Sequence, residues 1–266
     1  MRGGAQAHLI EADDGRFYVV KFQNNPQHRR ILVNEMIASA FLEYLQIKSP
    51  ETAIVHLDSE FLLSNPEIHI RLGSVRAAVV AGWHFGSCFP GDPAKVAVYD
   101  FVPDALLHQT ANVAEFTAML IFDKWTANAD ARQSIFIRAR LREYAPEFAD
   151  HPLRVGFVAL MIDHGFLFNG PHWDFPDSPL QGLYFRPSVY ARVRAWEDLQ
   201  PWLDQVTHFP EQIVDRALKQ IPPEWLAGDE SALEALMETL MNRRKRVPEL
   251  IEACARGRLN PFPNWK

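Results

Sequence analysis

The chain has 266 residues, 48% hydrophobic and 23% charged, with 33 acidic side chains against 27 Lys and Arg and a net charge of −6. Those proportions belong to a globular protein and exclude a disordered or collagen-like one. No apolar run reaches the ~18 residues of a membrane helix, and net acidity argues against non-specific nucleic-acid binding.

In chain order, the stretches Ala5 to Ala12 and Arg16 to Phe22 flank Asp13-Asp14-Gly15, a β-hairpin signal. Asn24-Asn25-Pro26 ends the second strand. From Arg29 to Leu45 the period lengthens, and Ile31, Met36, Ala40, Phe41 and Leu45 approximate one helical stripe. Ala53 to Leu57 and Phe61 to Leu63 read as short strands, and Val75 to Ala81 as a buried one. Gly82 to Pro93 reads as a loop, and Val96 to Val102 as a further strand. Beyond Pro103 the pattern is largely helical. Ala114 to Trp125 predicts a helix, Ser134 to Arg138 an extended run, and Val155 to Ile162 a buried strand. A Pro- and Trp-rich loop spans Asn169 to Pro187, and helical stretches follow near Tyr190 to Leu203, Phe209 to Gln220 and Ser231 to Arg256. This order predicts a small strand-rich part with one helix, a seam near Pro103, and a larger helical part.

Four features carry candidate chemistry. Gly3-Gly4-Ala5-Gln6 lies just before the hairpin, either as a flexible terminus or as backbone free to approach phosphate oxygens. Lys21 shares a strand face with Phe17 and Val19, so it is either a solvated edge lysine or a cation reaching into a cleft, with Glu35 as a partner. Asp123 to Gln133 holds Asn128 and Asp130 between a helix and an extended run, either as a capped helix end or as a catalytic loop. Asp163, followed by His164 and Gly165, leaves a buried strand, either as an ordinary turn or as a metal-binding carboxylate.

Taken together, a Gly-rich start, a strand Lys, a helix Glu, an Asn-x-Asp loop and an Asp-x-Gly turn follow the order of parts in kinase-like folds. The segments Arg2 to Gln6, Tyr18 to Phe22, Asn34-Glu35, Trp125 to Asp130 and Ile162 to Gly165 resemble the HipA-like kinase domain family, within the broader protein-kinase and phosphatidylinositol-kinase-like folds. The resemblance implies an α+β, two-lobed protein-kinase-like fold over residues 1–266, with an N-lobe at 1–103 and a C-lobe with a helical extension at 104–266. It further implies an ATP- and Mg²⁺-dependent kinase acting on a serine or threonine hydroxyl of a protein, or on a small molecule. Residue by residue it implies Gly3, Gly4, Gln6 and Lys21 on the nucleotide, with Glu35 paired to Lys21. Asp130 is the implied base, with Asn128 in the same loop, and Asp163 the implied Mg²⁺ ligand. One position departs from the pattern. Where the kinase sequence D-x-x-x-x-N has its metal-binding Asn, this chain has Ile135; Gln133 and Ser134 are the nearest polar substitutes, and Gln133, with an amide oxygen and the longer reach, is the expected metal ligand. Without such a ligand the site would hold one metal, or the protein would have weak or no transferase activity, as in a nucleotide-binding pseudokinase.

The remaining features read more plainly. Cys88 and Cys254 have no metal spacing and, with no signal peptide after Met1, predict a reducing, cytoplasmic setting. The extra N-terminal region of full-length HipA toxins is missing, so an antitoxin-linked role is not expected. His164 reads as a packed histidine. Gly82 to Gly86 and Tyr99 to Phe101 are rival stretches for the adenine pocket or hinge. Arg138, Arg140 and Arg142 read as a solvated strand edge, and Arg243 to Arg246 as a solvated helix face rather than a nucleic-acid site. The seven Trp and eighteen Phe belong mostly to the core. A hydrolase using Asp163 and His164 is a distant third reading, since neither a Gly-x-Ser-x-Gly nor a His-Glu-x-x-His motif occurs. No membrane partner is expected, and the phosphate acceptor is left open.

Overall fold

A computed structural model describes residues 4–144, 148–258 and 260–266. The hairpin forms as β1 (His8–Glu11) and β2 (Phe17–Lys21). It is followed by α1 (Arg30–Tyr44), β3 (Thr52–Leu57), α2 (Ser59–Ser64), β4 (His69–Leu72), β5 (Val75–Ala78) and β6 (Gly82–Cys88). Among the described residues, β1, β2, β6 and β3 make a four-stranded antiparallel sheet in that order. One face of this sheet, with Ile10, Tyr18, Val20 and Leu57, packs against Ile70 and Val79 of the β4–β5 region.

Three readings of this half change. Gly82 to Cys88 is not a loop but a central strand, bonded on both sides to β2 and β3. Its glycines and polar residues hide a strand that its neighbours stabilise. Phe61 to Leu63 is helical, because the Asp58 carboxylate accepts the Phe61 N–H at 2.7 Å and starts a turn. Val75 to Ala78 pairs only with β4, and Val75 is 62% exposed, so the expected buried strand is an outlying hairpin arm.

The second half begins with β7 (Val98–Tyr99), shorter than the Val96 to Val102 run, then α3 (Asp104–Leu107), α4 (Glu115–Thr126), β8 (Gln133–Arg140) and β9 (Val155–Ile162). The last three strands form a third antiparallel sheet, after the two-stranded β4–β5 pair, ordered β7-β8-β9. Helices α5 (Trp202–Thr207), α6 (Glu211–Lys219), α7 (Pro223–Leu226), α8 (Glu230–Arg243) and α9 (Val247–Arg256) complete the chain. The expected helix from Tyr190 to Leu203 is instead two short 3₁₀ turns, with α5 starting only at Trp202.

Helix α1 departs from a one-sided stripe. Residues Ile31 to Ala38 are all buried, as are Ala40 to Leu42, as expected of a helix enclosed on every side. It packs on β6 and against α6 and α7. Phe41 stacks on Trp125 of α4 with centroids 5.5 Å apart, and Phe209 joins both rings. These three rings belong to the largest core, which runs from α1 through the C-terminal helices.

The basic run Arg243 to Arg246 is not a free solvated face. Arg243 is 5% exposed, pairs with Asp177 at 2.7 Å and donates to the Trp125 carbonyl at 2.9 Å. Arg244 donates to the Phe209 carbonyl, and Arg246 shares Asp177. These contacts join the C-terminal helices to α4 and to the loop after β9. Among the described residues, no helix is long and apolar enough to cross a membrane.

Candidate active site

Alternation along β2 turns Tyr18 and Val20 into the sheet's packed face, while Val19 and Lys21 line a cavity on the other face. The cavity measures about 480 Å³, within the range of small-molecule sites. Gly4, Gln6, Lys21, Glu35, Asp130, Gln133 and Asp163 all line it. Phe85, Val98, Ile135 and Met161 add apolar wall. Gly3 lies outside the described residues.

Lys21, 9% exposed, is the centre of this site. Its Nζ donates to Glu35 Oε1 at 2.5 Å and to Asp163 Oδ1 at 2.7 Å. Burial works against the ammonium, but the two carboxylates outweigh it and hold its pKa above the ordinary lysine value. Burial likewise works against ionised Asp163; Lys21 and Arg132 outweigh it and keep that carboxyl below its usual range. Glu35 Oε1 also accepts the His164 N–H at 3.1 Å, so one carboxylate holds both the strand lysine and the turn after β9.

Asp130 follows the left-handed end of α4 at Ala127, where φ is 49°. Its carboxylate accepts its neighbour Ala131 N–H at 2.8 Å and the Gln133 amide at 3.3 Å. The β8–β9 register sets Gln133 opposite Ile162, which brings its side chain beside Asp163. Ser134 points to the opposite face, buried and with its hydroxyl unpartnered, so of the two polar substitutes only Gln133 reaches the cavity.

Two expected site residues have other duties. Gln6 lines the cavity, but its amide is taken: Nε2 donates to the Arg71 carbonyl at 2.8 Å, and Oε1 accepts the Arg71 N–H at 2.6 Å. It anchors the Gly-rich turn to β4. Asn128 is fully buried and does not line the cavity. It donates to Asp123 at 3.0 Å and accepts the Asp130 N–H at 3.1 Å, so it shapes the loop that carries Asp130.

Sequence reasoning missed the pair beneath the loop. Arg132 grips Asp123 with Nε at 2.9 Å and Nη2 at 2.5 Å, and both side chains are almost wholly buried. Its Nη1 donates to the Ile162 carbonyl at 2.9 Å and meets His164 Nδ1 at 3.0 Å. One guanidinium thus ties α4, the end of β9 and the Asp163 turn. Asp123 and Arg132 both lie within the Asp123 to Gln133 segment, but nothing local marks a pair nine positions apart as buried. His164 is buried between Arg132 and the Met161 carbonyl. Burial, then Arg132 and Lys21, pushes it well below the ordinary histidine value, so the ring is neutral at neutral pH and packed.

Of the rival stretches for the base pocket, Phe85 from Gly82–Gly86 lines the cavity; from Tyr99–Phe101 none does, although the adjacent Val98 does. Arg138 and Arg140 lie exposed on β8, and Arg142 just beyond it is exposed too.

The sequence model of the HipA-like kinase family matches residues 1–137. Among curated proteins, no sequence match is found. Among solved structures, hydra Fam20 determined with sugar has a similar fold, with a TM-score of 0.53 and 12% identity over 95% of this chain and 82% of that one.

Proposed function

The chain belongs to the HipA-like kinase family, and from that premise we propose that it is an ATP- and Mg²⁺-dependent phosphotransferase acting on a hydroxyl group. The observation that carries this reading is Lys21, held between Glu35 and Asp163 in a cavity that Asp130 also lines. The cavity has the size and the mixed apolar and charged lining that a nucleotide requires. Among the described residues there is no cluster of three metal-ligating His, Cys, Asp or Glu side chains. Mg²⁺ does not need one, because it binds through one or two carboxylates and takes phosphate oxygens and water for the rest. Asp163 with Gln133 beside it fits that demand.

In this reading Lys21 acts as a point charge on the phosphates, and Glu35 fixes its position. Asp163 and Gln133 would hold the metal, which when bound would supply charge neutralisation for the phosphates. The Gly4 backbone lies at the cavity wall, where close approach to phosphate is open to it. Asp130 accepts the proton of the attacking hydroxyl. Asn128, Asp123 and Arg132 hold the Asp130 loop in place. The division into an N-lobe (1–103) and a C-lobe (104–266) belongs to the same proposal; it is supported by the separate apolar cluster between Ile10 and Val79. A cytoplasmic setting is supported by the free thiols Cys88 and Cys254. The acceptor is a serine or threonine of a protein, or a small hydroxyl compound.

A thermal-shift series with ATP, Mg²⁺ and both together tests the binding step, since a ligand specific to the folded state raises the melting temperature by mass action. A rise that needs both supports the proposal. No response to any nucleotide sinks it.

A second reading rests on Ile135. It lines the cavity at the position of the metal-binding Asn and offers no ligand atom. A pseudokinase would bind ATP in that series yet transfer no labelled phosphate to itself or to any offered hydroxyl.

A further inference from the structure

Two consecutive residues of α1 hold the stretch of chain that follows Asp163. Glu35 takes the His164 N–H, as described. Asn34 turns its amide nitrogen toward three carbonyls of the same stretch: Gly165 at 2.7 Å, Leu167 at 3.0 Å and Gly170 at 3.1 Å. Its Oδ1 accepts the Trp173 indole N–H at 2.9 Å. Asn34 is 0% exposed, so its two donor hydrogens and its acceptor are committed to this stretch. The Trp173 ring lies under the Arg30 guanidinium, 4.2 Å from its centroid. Arg30 is itself held by both oxygens of Asp229 and donates to the Pro171 carbonyl at 2.9 Å.

The stretch needs such support. Asp163, Phe168, Asn169 and Trp173 have φ of 59°, 55°, 56° and 55°, the left-handed region that side chains disfavour and that persists where surroundings over-determine it. At Gly165 a Cβ would stand 2.3 Å from Ile31 Cγ2, so α1 presses directly on the turn. From Asp163 to Asp177 the chain also contains no Ser, Thr or Tyr. Phosphorylation orders the corresponding loop of switchable protein kinases by adding charge that arginines can pair. Within the stretch that Asn34 holds, Asp163 to Trp173, there is no hydroxyl to receive it.

We propose that Asn34 is a positioning residue that holds the Asp163 stretch in its metal-binding arrangement, doing permanently what a phosphate does in a switchable kinase. The proposal rests on the phosphotransferase reading for its metal, but the clamp itself can be measured without one. Asn34→Asp is close to isosteric, keeps an acceptor for Trp173 and removes both donor hydrogens. Trp173→Phe keeps a ring over Arg30 and removes one donor to Asn34.

The experiment measures amide hydrogen exchange in the ligand-free full chain, together with ATP affinity with and without Mg²⁺. In Asn34→Asp, exchange over residues 163–173 is expected to rise by about tenfold or more while α9 is unchanged. The gain in ATP affinity that Mg²⁺ confers is expected to fall by about fivefold or more, with metal-free affinity kept within about twofold. Trp173→Phe shifts both in the same direction by less, and carries the test if Asn34→Asp does not fold. Phosphatase treatment of the wild-type chain changes neither quantity. Unchanged exchange over 163–173 in the variants overturns the clamp, as does loss of the Mg²⁺ effect after phosphatase treatment. If the wild-type chain binds no ATP, the phosphotransferase reading fails, and the exchange data alone decide whether Asn34 holds the stretch.

Discussion

The Nζ of Lys21 lies 2.7 Å from Oδ1 of Asp163, a residue 142 positions further along the chain. The same nitrogen holds Glu35 at 2.5 Å. One buried cation therefore keeps two carboxylates together that would otherwise repel. Replacing it removes both the cation for the phosphates and the link between β2, α1 and the Asp163 turn. Lys21→Met is expected to lower turnover by about 10²-fold or more and to weaken ATP binding. A phosphate-transfer assay and calorimetric titration would read the two effects; wild-type values for both would remove Lys21 from the site.

Asp130 has a narrower role. Its removal should spare the pocket and cost only the proton transfer. Asp130→Asn is expected to reduce kcat by about 10²- to 10⁴-fold, with nucleotide affinity little changed. If single-turnover transfer by the variant matches wild type, the base lies elsewhere.

Asp163 bears on the metal. Asp163→Asn keeps the side chain's shape but loses the charge that pairs with Lys21 and would face Mg²⁺. The expected result is ATP binding that no longer responds to Mg²⁺. Titrations with and without the metal settle this, and an undiminished Mg²⁺ response would contradict the assignment.

The Arg132–Asp123 pair is a stability element. Both side chains are 1% exposed or less, so removing one leaves the other charged and buried. Arg132→Met is expected to cost about 3–5 kcal/mol and to lower Tm by about 10 °C. The double variant with Asp123→Leu should regain part of that loss, because two apolar groups replace an uncompensated charge. A double variant no more stable than the single one would show that the contacts to Ile162 and His164 outweigh the pair.

Acid sensitivity should come early. Burial lowers His84 to about 4 from an ordinary 6.5, and His164 is also well below its ordinary value. Both histidines are neutral in the fold, while the unfolded chain takes up protons near 6.5. Below that pH the unfolded state binds more protons, so stability falls on acidification, by up to about 1.4 kcal/mol per pH unit for each histidine. Urea unfolding from about pH 7 down to about pH 5 should show this slope, and His84→Gln should reduce it. A flat profile would mean that these histidines take up protons in the folded chain as readily as in the unfolded one.

Local pattern and turn chemistry were enough for several elements. The Asp13-Asp14-Gly15 hairpin, the core of α4 and the whole of β9 from Val155 to Ile162 are visible in the order of residue types, because each depends on neighbours a few positions away. The residue types at Lys21, Glu35, Asp130 and Asp163 were equally legible, and so was the gap left by Ile135. Only the tertiary structure decided what those residues touch. Gly82 to Cys88 became a strand because β2 and β3 bond it from both sides. Gln6 gave its amide to Arg71, 65 positions away. Asn128 turned inward onto the buried Asp123–Arg132 pair, and Arg243 left solvent for Asp177 and the end of α4. Asn34 stood beside Glu35 in the sequence with no role of its own until the fold brought carbonyls more than 130 positions distant onto its amide. A buried polar group must find its partner wherever packing delivers one, and that place is set by the whole chain rather than by the residues beside it.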